Sequence, residues 1–118
     1  MHELSVCQAV IAQVERIARE HDDARVASIT LRIGSLSGVE GSLLERAYPL
    51  AAAGTALSET RLVIETSPVR VRCRSCLAES DAEPNRLLCS VCGDWHTDLT
   101  SGDELLLTSV ELERIRHV

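Results

Sequence analysis

Apolar residues Leu4, Cys7, Val10, Ile11, Val14, Ile17 and Ala18 recur at steps of three and four, with Gln8, Gln13, Glu15, Arg16, Arg19 and Glu20 mostly between them. Such a stripe covers one face of a helix, so residues from about 4 to 20 are expected to form an amphipathic helix. His21-Asp22-Asp23 breaks the pattern. The period then changes to two, with Ala27, Ile29, Leu31 and Ile33 alternating with Ser28, Thr30 and Arg32, as in a strand with one buried face. After the turn cluster Gly34-Ser35-Leu36-Ser37-Gly38, the residues Leu43, Leu44, Ala47, Leu50 and Ala51 form a second helical stripe closing at Gly54. Pro49 lies inside it and is expected to kink or shorten the helix, because proline removes a hydrogen bond and crowds the preceding turn.

A second strand is expected from Arg61 to Glu65, closed by Pro68, and a last one from Leu105 to Leu112. The last strand has no local partner of its own length, so it is expected to return to the sheet formed by the first two. Between Val69 and Gly102 the composition changes to short polar segments around cysteines. The expected fold is therefore α+β: a small three-stranded sheet with two helices, built from residues 1–68 and 103–118, plus an inserted zinc-ribbon-like lobe over 69–102.

A length of 118 residues suits one domain with a small appendage and excludes a large multi-site enzyme. Phe is absent and there is one Trp and one Tyr, so the core must be aliphatic and few rings are available for stacking on bases. The net charge is −6 and all 12 basic residues are Arg, which leaves no general attraction to phosphate backbones; nucleic acid is not an expected partner. The apolar runs are far shorter than the roughly 20 residues of a membrane span. Met1-His2-Glu3 is not a basic segment leading into an apolar one. A cytoplasmic location without membrane contact is expected.

Four of the five cysteines form Cys73-Arg74-Ser75-Cys76 and Cys89-Ser90-Val91-Cys92, two C-x2-C pairs separated by 12 residues. Two residues between cysteines let both thiolates of a tight turn face one ion, and two such turns supply tetrahedral sulfur ligation, for which zinc is the usual tenant. A redox dithiol and an iron–sulfur centre are the competing readings of the same motif. Gly93, directly after the second pair, suits a turn whose backbone amides point toward sulfur. The segment is too small to hold an adequate core, so metal must supply most of its folding free energy. Arg70, Arg72, Arg74 and Arg86 are interleaved with Glu79, Asp81, Glu83, Asp94 and Asp98, so no basic surface dominates.

The chain start is the other segment with chemical potential. The α-amine, the backbone nitrogen of residue 2 and the imidazole of His2 can close adjacent chelate rings around a metal that favours square-planar nitrogen donors, notably Ni2+ or Cu2+, and Glu3 can complete the plane through its amide or carboxylate. Taken without context, His2 reads as a solvated residue leading a helix.

Context comes from the order of the motifs. Met1-His2-Glu3-Leu4-Ser5, Ile29-Thr30-Leu31-Arg32-Ile33-Gly34-Ser35-Leu36-Ser37-Gly38-Val39, Gly54-Thr55, the two C-x2-C pairs, Cys92-Gly93 and Gly102-Asp103-Glu104-Leu105 together resemble the HypA family of hydrogenase-maturation nickel chaperones. The resemblance runs in order over essentially the whole chain. It implies Ni2+ held near His2 as cargo and a structural zinc on Cys73, Cys76, Cys89 and Cys92. It also implies work with a nickel-handling GTPase to load the large subunit of nickel-iron hydrogenase, and some relatives feed nickel to urease, so urease maturation proteins join the expected partners.

Cys7 lies on the apolar stripe and reads as a buried small hydrophobe. His96 reads as a surface residue or an outer-shell neighbour of zinc, His21 and His117 as solvated, and Trp95 as a cover for the cysteine lobe. Nothing assembles a nucleophile, a base and an oxyanion site, and a closed four-thiolate zinc leaves no open position for substrate, so no catalytic residue and no enzymatic activity are expected. The alternative function is a zinc-ribbon module that recognises protein or nucleic acid and has no physiological nickel role.

Overall fold

A computed structural model describes residues 2–113. Helix α1 (His2–Glu20) leads through a turn into strand β1 (Arg25–Gly34), followed by helix α2 (Gly41–Ala52) and strand β2 (Arg61–Ser67). Strands β3 (Arg70–Cys73), β4 (Glu79–Asp81) and β5 (Thr97–Ser101) follow, and β6 (Leu105–Glu113) ends the described chain. The strands form two sheets, ordered β2-β1-β6 and β4-β3-β5. The α+β reading of two helices on a three-stranded sheet, with a cysteine-bearing insertion, holds.

Each boundary has a local cause. Glu3 in the first turn of α1 and Arg19 in its last turn both complement the helix dipole. Asp22 and Asp23 take φ values of 59° and 54°, a left-handed pair that aspartate tolerates better than most residues, and this reverses the chain into β1. Helix α2 continues past Pro49 to Ala52 rather than breaking at it, and the Ala53 amide still donates to the Pro49 carbonyl at 3.1 Å. Gly54, at φ 75°, ends it.

Strand β1 is central, paired in parallel with β2 and antiparallel with β6. The last strand therefore does return to the sheet of the first two. Ile29, Leu31 and Ile33 on β1 join Cys7, Ile11, Val14 and Ala18 of α1 and Leu44, Tyr48 and Ala52 of α2 in one core. The second stripe is rotated from the expected one: Leu43 and Leu50 are exposed at 42% and 76%, while Tyr48 is buried. The Tyr48 ring joins Leu44 in the core, and its hydroxyl donates to the Thr60 carbonyl at 3.2 Å, which satisfies the one polar atom this burial would strand. Cys7 is buried as expected, its thiol donating to the Leu44 carbonyl at 3.6 Å; burial, aided by the Glu3 charge, pushes that thiol above its ordinary pKa.

The described chain extends 62 × 31 × 16 Å with a radius of gyration of 18.1 Å, against about 13 Å for a compact domain of this length. The two sheets thus lie end to end and do not share one core. Among the described residues no helix is long and apolar enough to cross a membrane.

Replacing Leu44 with Ala should destabilise the helix-bearing sheet by about 2–5 kcal/mol, the range for a fully buried leucine, whereas Leu50→Ala should stay within about 0.5 kcal/mol. Urea denaturation followed by far-ultraviolet circular dichroism distinguishes the two; equal costs would contradict this helix register.

Candidate metal centre

Strand β3 ends on Cys73, which delivers the first cysteine turn directly from a sheet. The two turns repeat one set of main-chain bonds. The Cys73 amide donates to the Ala78 carbonyl and Leu77 back to Cys73, at 2.9 and 3.1 Å; Cys89 donates to Asp94 and Gly93 back to Cys89, both at 2.9 Å. Amides inside each turn aim at sulfur: Ser75 and Cys76 at Cys73 Sγ, 3.3 and 3.4 Å, and Val91 and Cys92 at Cys89 Sγ, 3.4 and 3.5 Å. The expectation for the turn closed by Gly93 is met.

The turns face each other. The four sulfur atoms of Cys73, Cys76, Cys89 and Cys92 lie within 4.8 Å of one another, with Cys73 to Cys92 at 3.5 Å and Cys76 to Cys89 at 3.6 Å. Tetrahedral zinc with bonds of about 2.3 Å sets its sulfurs about 3.8 Å apart, so the donor set and its spacing fit that ion. Cys73 and Cys89 are buried, whereas Cys76 and Cys92 are exposed. The same asymmetry runs through their acidities. The Cys92 amide, helped by that of Val91, brings the Cys89 thiol down to about 6, and the Cys76 amide likewise lowers Cys73. At Cys92 the Asp94 amide pulls down but is outweighed by the Cys73 sulfur, desolvation and the other thiols, leaving it pushed up to about 12. Cys76 is raised too, since desolvation and its sulfur neighbours outweigh the Ala78 amide. Four crowded thiolates repel one another, and a divalent ion removes that penalty.

Asp94 ties the two turns together. Its carboxylate accepts from the Ser75 hydroxyl of the first turn and contacts His96 Nδ1 at 2.8 Å. Those contacts, Ser75 first, hold its carboxyl well below the usual carboxylate range. His96 is outside the sulfur cluster and meets the first turn through its carbonyl, which accepts from the Arg74 amide at 2.8 Å. Trp95 does not cover the lobe: it is 71% exposed and stacks on His96 with ring centroids 3.8 Å apart. The apolar residues the lobe buries are Val69, Val71, Cys73 and Cys89, and Trp95 is not among them. Arg70 pairs with Asp81 and Arg74 with Asp98, so two of its four arginines are neutralised locally.

The sequence-derived residues at the chain start are placed only in part. Glu3 sits half-buried in the first turn of α1. Met1, the side chain of His2, and His117 lie outside the described residues.

The family model described as "Hydrogenase/urease nickel incorporation, metallochaperone, hypA" matches residues 1–112. The chain belongs to the HypA family. A protein from Nitrosospira multiformis called hydrogenase maturation factor HypA is 53% identical over 112 residues, 95% of this chain and 97% of its own. Another of the same name from Aquifex aeolicus is 37% identical over 113 residues, covering 96% and 98%. Among solved structures, that of the Ni metallochaperone HypA from Helicobacter pylori matches with a TM-score of 0.65 and 25% identity over 95% of this chain and 97% of that one. The family resemblance seen in the motifs is thereby established.

Sequence reasoning missed the bridge through Ser75, Asp94 and His96, because no fixed spacing marks a hydrogen bond between two turns. It also missed an unequal pair. Leu77 and Gly93 hold equivalent positions, yet Leu77 takes φ 64° where Gly93 takes 79°. A left-handed leucine carries a steric penalty that glycine avoids. Leu77→Gly should therefore stabilise the metal-loaded lobe by about 1 kcal/mol, and Gly93→Ala should destabilise it by a similar amount. Trp95, the single tryptophan, reports this lobe by fluorescence; no upward shift of the thermal midpoint in Leu77→Gly would contradict the strain.

Proposed function

We propose that this chain is a nickel metallochaperone that binds Ni2+ near its N-terminus and delivers it for maturation of nickel-iron hydrogenase, and that it has no catalysis of its own. The observation that carries this reading is a family match running unbroken from the Met1-His2-Glu3 start through both cysteine pairs. The nickel donors in this proposal are the α-amine, the first backbone nitrogens, the His2 imidazole and Glu3. Zinc is assigned to Cys73, Cys76, Cys89 and Cys92, in a lobe of residues 69–102 set into a nickel-binding domain of 1–68 and 103–118. The facing thiols, their spacing and the amides turned toward sulfur support that assignment. Zinc in such a site organises the fold.

Different donor sets keep the two metals apart. Thiolates saturate zinc, while terminal nitrogens favour planar nickel; because Cu2+ outcompetes Ni2+ at a nitrogen site, partner contacts must direct the cargo. The proposed partners are a nickel-handling GTPase, the hydrogenase large subunit and urease maturation proteins, in the cytoplasm. Local pairing of Arg70 and Arg74 with carboxylates counts against a nucleic-acid partner.

Calorimetric nickel titration of the untagged chain tests the reading. His2→Ala should abolish specific binding while changing stability by no more than about 0.5 kcal/mol, and one or two residues added before Met1 should weaken binding strongly. Unchanged nickel affinity in both variants would overturn the terminal site. Affinity should also fall as pH drops from about 7.5 toward 6, since imidazole must be neutral to ligate and its reference pKa is about 6.5.

Metal removal is the second test. One zinc per chain is expected, and chelation or Cys73→Ser should unfold the region 69–102, seen through Trp95, while the circular dichroism of the helices persists. A lobe that stays ordered after chelation would contradict a metal-organised fold.

A further inference from the structure

The chain crosses between the two sheets twice, once through Ser67-Pro68-Val69 and once through Ser101-Gly102-Asp103-Glu104. Neither crossing is a free linker. The Glu104 carboxylate accepts from the Ser67 hydroxyl of one crossing at 2.8 Å and from the Gly102 amide of the other. Ser67 is 6% exposed, so this bond satisfies a buried hydroxyl. The backbones are fastened as well. The Gly34 amide at the end of β1 donates to the Glu104 carbonyl at 2.9 Å, the Leu36 amide to the Gly102 carbonyl at 2.7 Å, and the Ser101 hydroxyl to the Pro68 carbonyl at 2.6 Å.

Two glycines let these strands come together. A Cβ on Gly34 would overlap the Gly102 carbonyl, and one on Gly102, which takes φ 116°, would lie 2.9 Å from Val69 Cα. The acidity of Glu104 agrees with a carboxylate in service as an acceptor: the Gly102 amide and then the Ser67 hydroxyl hold it below the usual carboxylate range. In a molecule 62 Å long whose sheets lie end to end, this crossing is where their relative angle is set.

We propose that Glu104 is a latch that holds the cysteine lobe and the helix-bearing lobe as one rigid body. Released, the cysteine lobe pivots about the two crossings. The turn at 21–24 folds β1 back along α1, and their lengths are comparable, about 28 Å for the helix and about 33 Å for the strand. The start of α1 and the Gly34 end of β1 therefore share one end of the helix-bearing lobe. The latched angle fixes where the cysteine lobe stands relative to the chain start, and a partner touching both meets a preset surface. The latch holds whether or not His2 binds nickel.

Residual dipolar couplings of the full, zinc-loaded chain test it, with chemical shifts within each lobe and zinc content as controls. In the wild type both lobes should fit one alignment tensor. Glu104→Ala should lose the common tensor while shifts distant from the joint and the zinc content stay unchanged. Glu104→Gln should keep it, because its amide oxygen can accept from Gly102 and its NH2 can donate to Ser67 Oγ. Gly34→Ala, which wedges the joint by overlap with the Gly102 backbone, shows what a displaced joint looks like in the same measurement. Separate tensors in the wild type, or one retained tensor in a folded Glu104→Ala protein, would overturn the latch. Should Glu104→Ala fail to fold, Ser67→Ala, which removes one of the two donors to that carboxylate, decides by the same criterion.

Discussion

Strand β1 carries Ile29, Leu31 and Ile33 to the helices and is hydrogen-bonded on both edges, so it needs two partners. One partner is reached through α2, the crossover that a parallel neighbour demands. The other is β6, whose register opposite β1 runs from Leu105 against Ile33 to Glu113 against Arg25. Completing the sheet with the end of the chain forces everything between Ser67 and Glu104 to leave and come back. The cysteine lobe is that excursion, and its two ends must pass side by side at Gly34. A joint of close-packed glycines follows from strand pairing before any question of metal arises.

The lobe on this excursion inverts the usual balance of forces. The helix-bearing sheet is held by aliphatic burial around β1, whereas the lobe buries only Val69, Val71, Cys73 and Cys89 among its apolar residues. Hydrogen bonds take up part of the shortfall, with two repeated turns, four amides aimed at sulfur and Asp94 linking one turn to the other. They arrange four thiols that repel when ionised, so the arrangement is favourable once a cation sits among them. With zinc assigned there as proposed, dependence of the lobe on the ion, and independence of the sheet from it, would follow from the same burial pattern.

This division suits the proposed work. Cargo bound at a chain end exchanges by stepwise loss of donors, whereas an ion within four thiolates holds a shape. In the proposed function, a shape-giving ion on sulfur and a cargo on nitrogen would let one metal move while the other stays. A rigid joint adds a fixed geometry between the two regions, so a partner can test both at once.

Local chemistry determined much of this. The period-three-and-four stripe of α1, the alternation in β1, the break at Asp22-Asp23 and the paired cysteines each act within a few residues, so they were legible from composition and spacing alone. The short strands β3, β4 and β5 were not, because segments as short as Arg70–Cys73 become strands only when neighbours complete their hydrogen bonds. Tertiary structure also chose Tyr48 over Leu43 and Leu50 for the core: a stripe states which side chains are apolar, but the neighbouring helix and strand decide which are covered. It left Trp95 in solvent, stacked on His96. The contact of Gly34 with Gly102, and the Glu104 bonds around it, join segments far apart in the chain and had no sequence period to announce them. Periodicity encodes the faces of single elements, and the approach of two backbones depends on where the whole sheet brings them.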